Sequence, residues 1–565
     1  MASPISSAVH RPPADEHRPT PSSSLTTRTR SSFPAQLAPE TIRQILQYAL
    51  APDADYFDDP TAGHLELEGH VRPSAYYPGR VCRQWHNVAV STPSLWTHIA
   101  AFVDTPHTVE SLASSPLQTH LRLSFPLPIS VYLRRKVKIP SGLDLEERDS
   151  VTALLHAVKD HFARVEALVI EANVASSLPN ALDLLGDGSE ISFQPLSKLR
   201  KLMLRCNADD SILQPLPSAL PPQPLRSLPL RQSLTTLYLD GRNLLEMLGS
   251  SRAGRNGLSV DSKNVFSCMP MLEAIGVNNL TCSVDGFSEE LIYYFFFGIL
   301  PSFQRLSTLL LESLDLEPPH YPALSSRNPQ EVMLGAVPTP LVSLSLTRLI
   351  IKHTKRESIG FVLRCIARPH TIVLDGCFLS SPTPSSSSSP SALLESVLRC
   401  SRLILANIAS DFDRSLPGLI AQWDGECLEL IRCMCLDDDF WTKLVQLSRE
   451  GKPGPEDGRG RTSEQTQERV QENHHEPFLG HLRSLKVIDC PNVHPDSLIV
   501  FLIQLRRARS TPGGGSNSAL GVNSNAALDE LVVAGNRAHK LEMGAQMKWA
   551  KLVSRTVEWS PLNVR

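Results

Sequence analysis

Cys427, Cys433 and Cys435 stand close together in the chain, and thiols so spaced bind zinc when a second pair or a histidine completes the set. No Cys-x-x-Cys pair and no neighbouring histidine does so here, which leaves the three to be read as buried strand residues. Asp437, Asp438 and Asp439 could hold a cation, yet they directly precede Phe440-Trp441, where carboxylates suit the positive start of a helix. The helix cap is the simpler reading. His474-His475-Glu476 lies in a charged stretch almost without aliphatic residues and reads as solvated. The chain has no Gly-x-x-x-x-Gly-Lys-Ser/Thr phosphate cradle, no Gly-x-Ser-x-Gly elbow and no His-Glu-x-x-His zinc helix. No catalytic residue, metal or cofactor is therefore expected. An enzyme whose active site is dispersed over an α/β domain stays open as an alternative.

Composition narrows the partners. Lys and Arg total 55 against 58 Asp and Glu, a net charge of −3, which argues against nucleic-acid binding as the main task because counterion release needs a basic surface. The run Arg134-Arg135-Lys136-x-Lys138 reads as solvated surface. Met1 to Arg30 has no apolar core of the secretory kind, and the longest apolar run, Leu291 to Leu300, is about half the length needed to span a bilayer. It is expected to be a buried helix. Eleven cysteines in such a chain read as reduced thiols, giving a cytoplasmic or nuclear location and no membrane.

With no chemistry to position, the apolar patterns carry the argument. Ile42, Ile45, Leu46 and Ala49 recur at i, i+3, i+4 and i+7, an amphipathic helix opened by Pro39 and Glu40. Val81, Trp85, Val88 and Ala89 share a second helical face, which Thr92-Pro93 ends, and Leu95, Trp96 and Ile99 form a short third one. Leu37-x-Pro39-Glu40-x-Ile42-x-x-Ile45-Leu46, then Val81-Cys82-Arg83-x-Trp85 and Thr92-Pro93-x-Leu95-Trp96-x-x-Ile99, resembles the F-box of fungal, basidiomycete-type F-box proteins. Ala38 replaces the usual first proline, an acidic insert follows Leu50, and Pro78-Gly79 just before Val81 makes the middle helix start late or stay short. The plainer alternative is two unrelated amphipathic helices.

Further on, an apolar residue is followed by others three and five positions on, often with Asn or Cys at the eighth. Val165-Leu168-Ile170-Asn173 and Leu199-Leu202-Leu204-Asn207 show this first, and Leu482-Leu485-Val487-Cys490 and Leu528-Leu531-Val533-Asn536 show it last. Between them come starts at Leu234, Leu272, Leu306 and Leu346, then copies around Ile372, Leu403 and Leu428. Alternation makes short strands, and an Asn or Cys at the turn can satisfy buried backbone groups. The region resembles a degenerate leucine-rich repeat, with early starts 34 to 40 residues apart. A generic α/β region mimicking the motif is the alternative.

The expected fold is α/β: a tail at 1–32, a small helical F-box module at 33–100 with an insert at 51–77, and a parallel-stranded solenoid at 101–565. Inserts without structure are expected at 380–390, 450–477 and 510–526. The resemblance implies the substrate-recognition subunit of an SCF-type (Skp–cullin–F-box) ubiquitin ligase. Leu37, Pro39, Ile42, Ile45, Leu46, Val81, Trp85, Leu95 and Trp96 would then meet a Skp-type adaptor, and through it a cullin ligase. A protein substrate of unknown identity would bind Met203, Tyr238, Leu310, Ile350 and Val532, which alternate with the inward Leu202, Leu237, Leu309, Leu349 and Leu531. A scaffold acting outside ubiquitylation is the second reading.

Overall fold

The computed structural model describes residues 37–50, 80–103, 115–134, 145–186, 196–210, 231–253, 265–281, 291–316 save 293, 346–379 save 367, 398–409, 415–450, 481–510, 528–536 and 552–561. The expected tail and inserts lie outside these residues, except residues 450 and 510 at helix ends. Two compact units divide the chain, one ending at Leu95 and one beginning at Trp96.

In the first unit, helix α1 (Pro39–Leu50) begins on its proline, with Glu40 in the first turn, where a missing amide hydrogen costs nothing and a carboxylate meets the helix dipole. Helix α2 (Arg83–Val90) is short and starts late, because Cys82 before it is extended with φ −162°. The two helices pack together and bury Ile42, Leu46, Val88 and Ala89. The Gln84 amide donates to the Leu37 carbonyl at 2.7 Å, tying the approach of α1 to α2. Thr92 closes α2 by donating its hydroxyl to the Val88 carbonyl at 2.7 Å. Val81 therefore precedes the helix, off the periodicity expected for it, and is exposed.

The second unit is built on one sheet of 14 strands, every neighbouring pair parallel and the order following the chain. The strands are β1 (His98–Phe102), β2 (Ile129–Arg134), β3 (Val165–Val174), β4 (Lys201–Ala208), β5 (Thr236–Asp240), β6 (Ala274–Asn278), β7 (Thr308–Glu312), β8 (Arg348–Lys352), β9 (Thr371–Asp375), β10 (Arg402–Ala406), β11 (Cys427–Ile431), β12 (Ser484–Ile488), β13 (Leu528–Asn536) and β14 (Val553–Pro561). Parallel neighbours need a crossover. Helices α3 (Pro116–Leu123), α4 (Leu145–Val158), α5 (Ala181–Leu185), α6 (Gly241–Ala253), α7 (Arg356–Cys365), α8 (Ser415–Gln422), α9 (Asp438–Glu450) and α10 (Pro495–Ser510) lie in these connections. The apolar run at 291–300 is helical and buried as expected, but its helix widens into a π-helical turn at Phe295–Ile299 and tightens to a 3-10 turn at Leu300–Ser302, with Phe295, Phe296, Ile299 and Leu300 inside. Ile99 belongs to a strand rather than to a third helical face. Among the described residues no helix is long and apolar enough to cross a membrane.

One face of the sheet makes the main core. Leu202, Leu237, Leu309, Leu349, Leu485 and Leu531 all point there and are fully buried, as their alternation requires. The leading Leu199, Leu234, Leu272, Leu306, Leu346 and Leu482 are buried in the approach to each strand. Every strand from β6 to β12 is followed by a residue with φ between 48° and 60°, namely Asn279, Ser313, His353, Gly376, Asn407, Arg432 and Asp489, and Gly535 near the end of β13 takes the same conformation with φ 70°. This left-handed step turns the chain off the sheet, and it recurs although only two of these residues are glycine. From Asn279 to Arg432, each of these residues donates its N–H to the last carbonyl of the next strand, at 2.8 to 2.9 Å, and Asp489 donates to the Ala534 carbonyl within β13 at 2.8 Å. The eighth-position cysteines act as expected. Cys377, Cys433 and Cys490 donate their thiols to the Ile351, Leu405 and Leu430 carbonyls at 3.3 to 3.4 Å. Asn207 differs: it is exposed, and the buried Cys206 carbonyl instead accepts from the side chains of Asn278 and Asn279 at 2.6 and 2.8 Å.

Candidate functional site

The first surface lies on α1 and the approach to α2. Their periodicity divides the apolar residues in two. Ile42 and Leu46, one turn apart, face inward, while Ile45 is 39 % exposed, Tyr48 89 % and Val81 55 %. Leu37, Trp85 and Leu95 are half-buried and Pro39 is exposed. Trp96 lies in the second unit, buried with its ring edge-on to His120 at a centroid distance of 4.9 Å. That burial pushes the His120 pKa down. Of the nine residues assigned to an adaptor, Ile45, Val81 and Pro39 are thus the open ones, and Ile42, Leu46 and Trp96 are packed inside. Tyr48 escaped the sequence reading because it sits off the apolar stripe. A lone aromatic on the outer side of an amphipathic helix was the available signal.

The second surface is the sheet face opposite the main core. Its central row runs in register from Val169 through Met203, Tyr238, Gly276, Leu310, Ile350, Val373 and Ile404 to Glu429, Lys486 and Val532. Met203, Tyr238, Leu310 and Ile350 do lie opposite the core leucines, but the expectation that they stand open needs correction. With Val169 and Val373 they form a second buried apolar cluster. Strands about 4.8 Å apart bring these side chains into contact with one another along the row. Val532, at the far end, is half-buried.

Gly276 explains the centre of this cluster. A Cβ there would stand 1.9 Å from Cδ2 of Tyr238, so the tyrosine ring lies across the glycine. It reaches past β6 and donates its hydroxyl to Glu312 Oε2 on β7 at 2.6 Å. Arg205 Nη2 donates to Glu312 Oε1 at 2.7 Å. Burial, then the Glu312 charge, pushes the Tyr238 hydroxyl well above its usual pKa. Burial works against the Arg205 cation, but Glu312 outweighs it and holds the charge more firmly. The network crosses intervening strands, so linear spacing could not have paired these residues.

Beyond Ile404 the row turns polar, with Glu429 buried and Lys486 and Val532 half-buried. Arg402 Nη2 lies 2.7 Å from Glu429 Oε1, and Lys486 Nζ lies 3.6 Å from Glu429 and 3.7 Å from Glu530. Ser484 donates its hydroxyl to Glu530 at 2.6 Å. Such partly exposed pairs contribute little stability, about 0–1 kcal/mol each, but they present alternating charge on a rigid sheet.

Asp437 accepts the Phe440 N–H at 2.8 Å, the capping role expected of the acidic triplet. Cys433 is buried, and Cys427 and Cys435 are half-buried. Among the described residues no group of His, Cys, Asp and Glu side chains is arranged to hold a metal ion. No protein-family model matches the chain. No curated protein is detectably similar to it in sequence.

Proposed function

We propose that this chain is the substrate-recognition subunit of an SCF-type ubiquitin ligase. In this reading the first unit is an F-box that docks on a Skp-type adaptor, and the parallel sheet lines a leucine-rich-repeat solenoid that holds a protein substrate. The chain performs no bond chemistry. It brings a substrate close to the ubiquitin-charged enzyme and makes their encounter effectively local. The observation that carries the proposal is the division of α1: Ile42 and Leu46 pack inward while Ile45 and Tyr48, with Val81 beside α2, stay exposed. Apolar residues held outward on a packed helix pair suit a protein partner. On the sheet, the part suited to a substrate is the polar end, Arg402, Lys486, Val532 and Glu530 around the buried Glu429, because the apolar part is already filled.

Co-purification of the full chain with a Skp-type adaptor and a cullin tests this. Ile45→Ala and Tyr48→Ala together should weaken adaptor capture by about 2–4 kcal/mol, roughly thirtyfold or more, with the fold intact, since interface anchors contribute about 1–2 kcal/mol each. The wild-type chain failing to bind the adaptor, or the folded double variant binding as well as wild type, would overturn the assignment. Binding to the adaptor without recruitment of the cullin would favour the scaffold reading.

A further inference from the structure

We propose that Cys433 and Cys490 are a redox-responsive pair that closes into a disulfide between neighbouring turns of the sheet. β11 and β12 pair in register up to Ile431 and Ile488, and the Arg432 N–H carries the pairing one step further by donating to the Ile488 carbonyl at 2.8 Å. Cys433 and Cys490 stand two residues beyond that matched pair, at equivalent places on adjacent turns. Parallel strands lie about 4.8 Å apart, which falls within the Cα separation of about 4.4–6.8 Å that a disulfide accepts. Along the preceding turns the same place holds Cys377 after β9 and Ile408 after β10, so Cys377 has no cysteine beside it at that step.

The sulfurs already interact. The Cys433 N–H donates to Cys490 Sγ at 3.4 Å, so the Cys490 sulfur already accepts a hydrogen bond from the neighbouring turn. The adjoining Cys433 thiol, together with this N–H, favours the thiolate at Cys490 and lowers its pKa, while Cys433 is held protonated. Cys490 is thus the attacking sulfur and Cys433 the resolving one. With hydrogen peroxide as oxidant, the Cys490 thiolate attacks one peroxide oxygen, the O–O bond breaks, and a sulfenic acid forms as hydroxide leaves. The Cys433 sulfur then attacks the Cys490 sulfur, the S–O bond breaks and water leaves. The protons of the two thiols end in the water formed, and the peroxide is reduced. Both side chains are fully buried, so the reaction requires a small uncharged oxidant and an opening of the turn.

The test treats the reduced full-length chain with hydrogen peroxide, quenches it with an alkylating reagent in denaturant and maps the peptides. The expected product is a single Cys433–Cys490 cross-linked peptide, cleaved by dithiothreitol, together with a higher melting temperature of the oxidised chain. Cys433→Ser should leave a sulfenic acid on Cys490 that a dimedone-type reagent traps, and Cys490→Ser should leave none on Cys433. Both thiols remaining alkylatable after peroxide would overturn the proposal. So would a cross-link through Cys435, the half-buried thiol next in the chain. The wild-type mapping needs no variant, so a variant that fails to fold leaves the test standing.

Discussion

Replacing Gly276 by alanine should be costly in this chain and harmless, or slightly favourable, once Tyr238 is gone. The new methyl group would occupy the place of the tyrosine ring, 1.9 Å from Cδ2 and 2.5 Å from Cε2. The ring must leave, and its bond to Glu312 at 2.6 Å leaves with it. A hydrogen bond to a charged group contributes about 1.5–3 kcal/mol, and overpacking a filled cluster adds about 1–3 kcal/mol. Gly276→Ala should therefore destabilise by roughly 3–5 kcal/mol. In a Tyr238→Ala background neither loss remains. There the substitution should gain about 0.5–1 kcal/mol, because glycine in a strand loses more backbone freedom on folding than alanine does. Urea unfolding followed by circular dichroism on the four proteins of this cycle measures the coupling. A cost that is the same in both backgrounds would refute the packing argument.

Two further expectations rest on single side chains. Burial holds the Asp240 carboxyl at a pKa of about 7, against its hydrogen bonds from Asn243, and the half-exposed Glu246 is raised in the same sense. A raised folded-state pKa means that stability is highest at acid pH and falls as pH rises from the ordinary carboxylate range to about 7, by up to about 4 kcal/mol. Asp240→Asn, which keeps the oxygen that caps Asn243, should flatten the fall in melting temperature between acid and mildly basic buffers; an unchanged slope would exclude this carboxyl as its source. Asp437→Ala removes the cap on the Phe440 N–H and should cost about 1 kcal/mol, visible as a lower urea midpoint, and no loss would show that the cap is idle.

Much of this fold was legible in the chain because a strand with one buried face must alternate. Leu202, Leu309 and Leu485 announced their strands, and the leucine three positions ahead of each announced the turn into it. β1, β2 and β14 were not recognised, since Ile99, Val131 and Val553 lack that leading leucine. The central row of the opposite face was placed correctly but judged open. Whether an outward residue is exposed depends on neighbours far off in the chain, as Tyr238 depends on Gly276 and Glu312. Trp96 was grouped with the helices by proximity in sequence, whereas the strand that begins at His98 draws it into the second unit. On α1 the spacing showed an apolar stripe, yet not which of its residues would be left outside.

The left-handed step after each strand from β6 to β11 has a consequence for how this chain tolerates change. Its N–H finds the next strand's final carbonyl whether that strand begins soon afterwards, as Thr371 does after Arg348, or only after a long excursion, as Ser484 does after Cys427. Alignment between strands is written in main-chain atoms that every residue except proline possesses. The stretches between strands can therefore lengthen, shorten or be rewritten as cargo without disturbing the layers on either side, much as pages may be added to a ring binder whose holes stay in line.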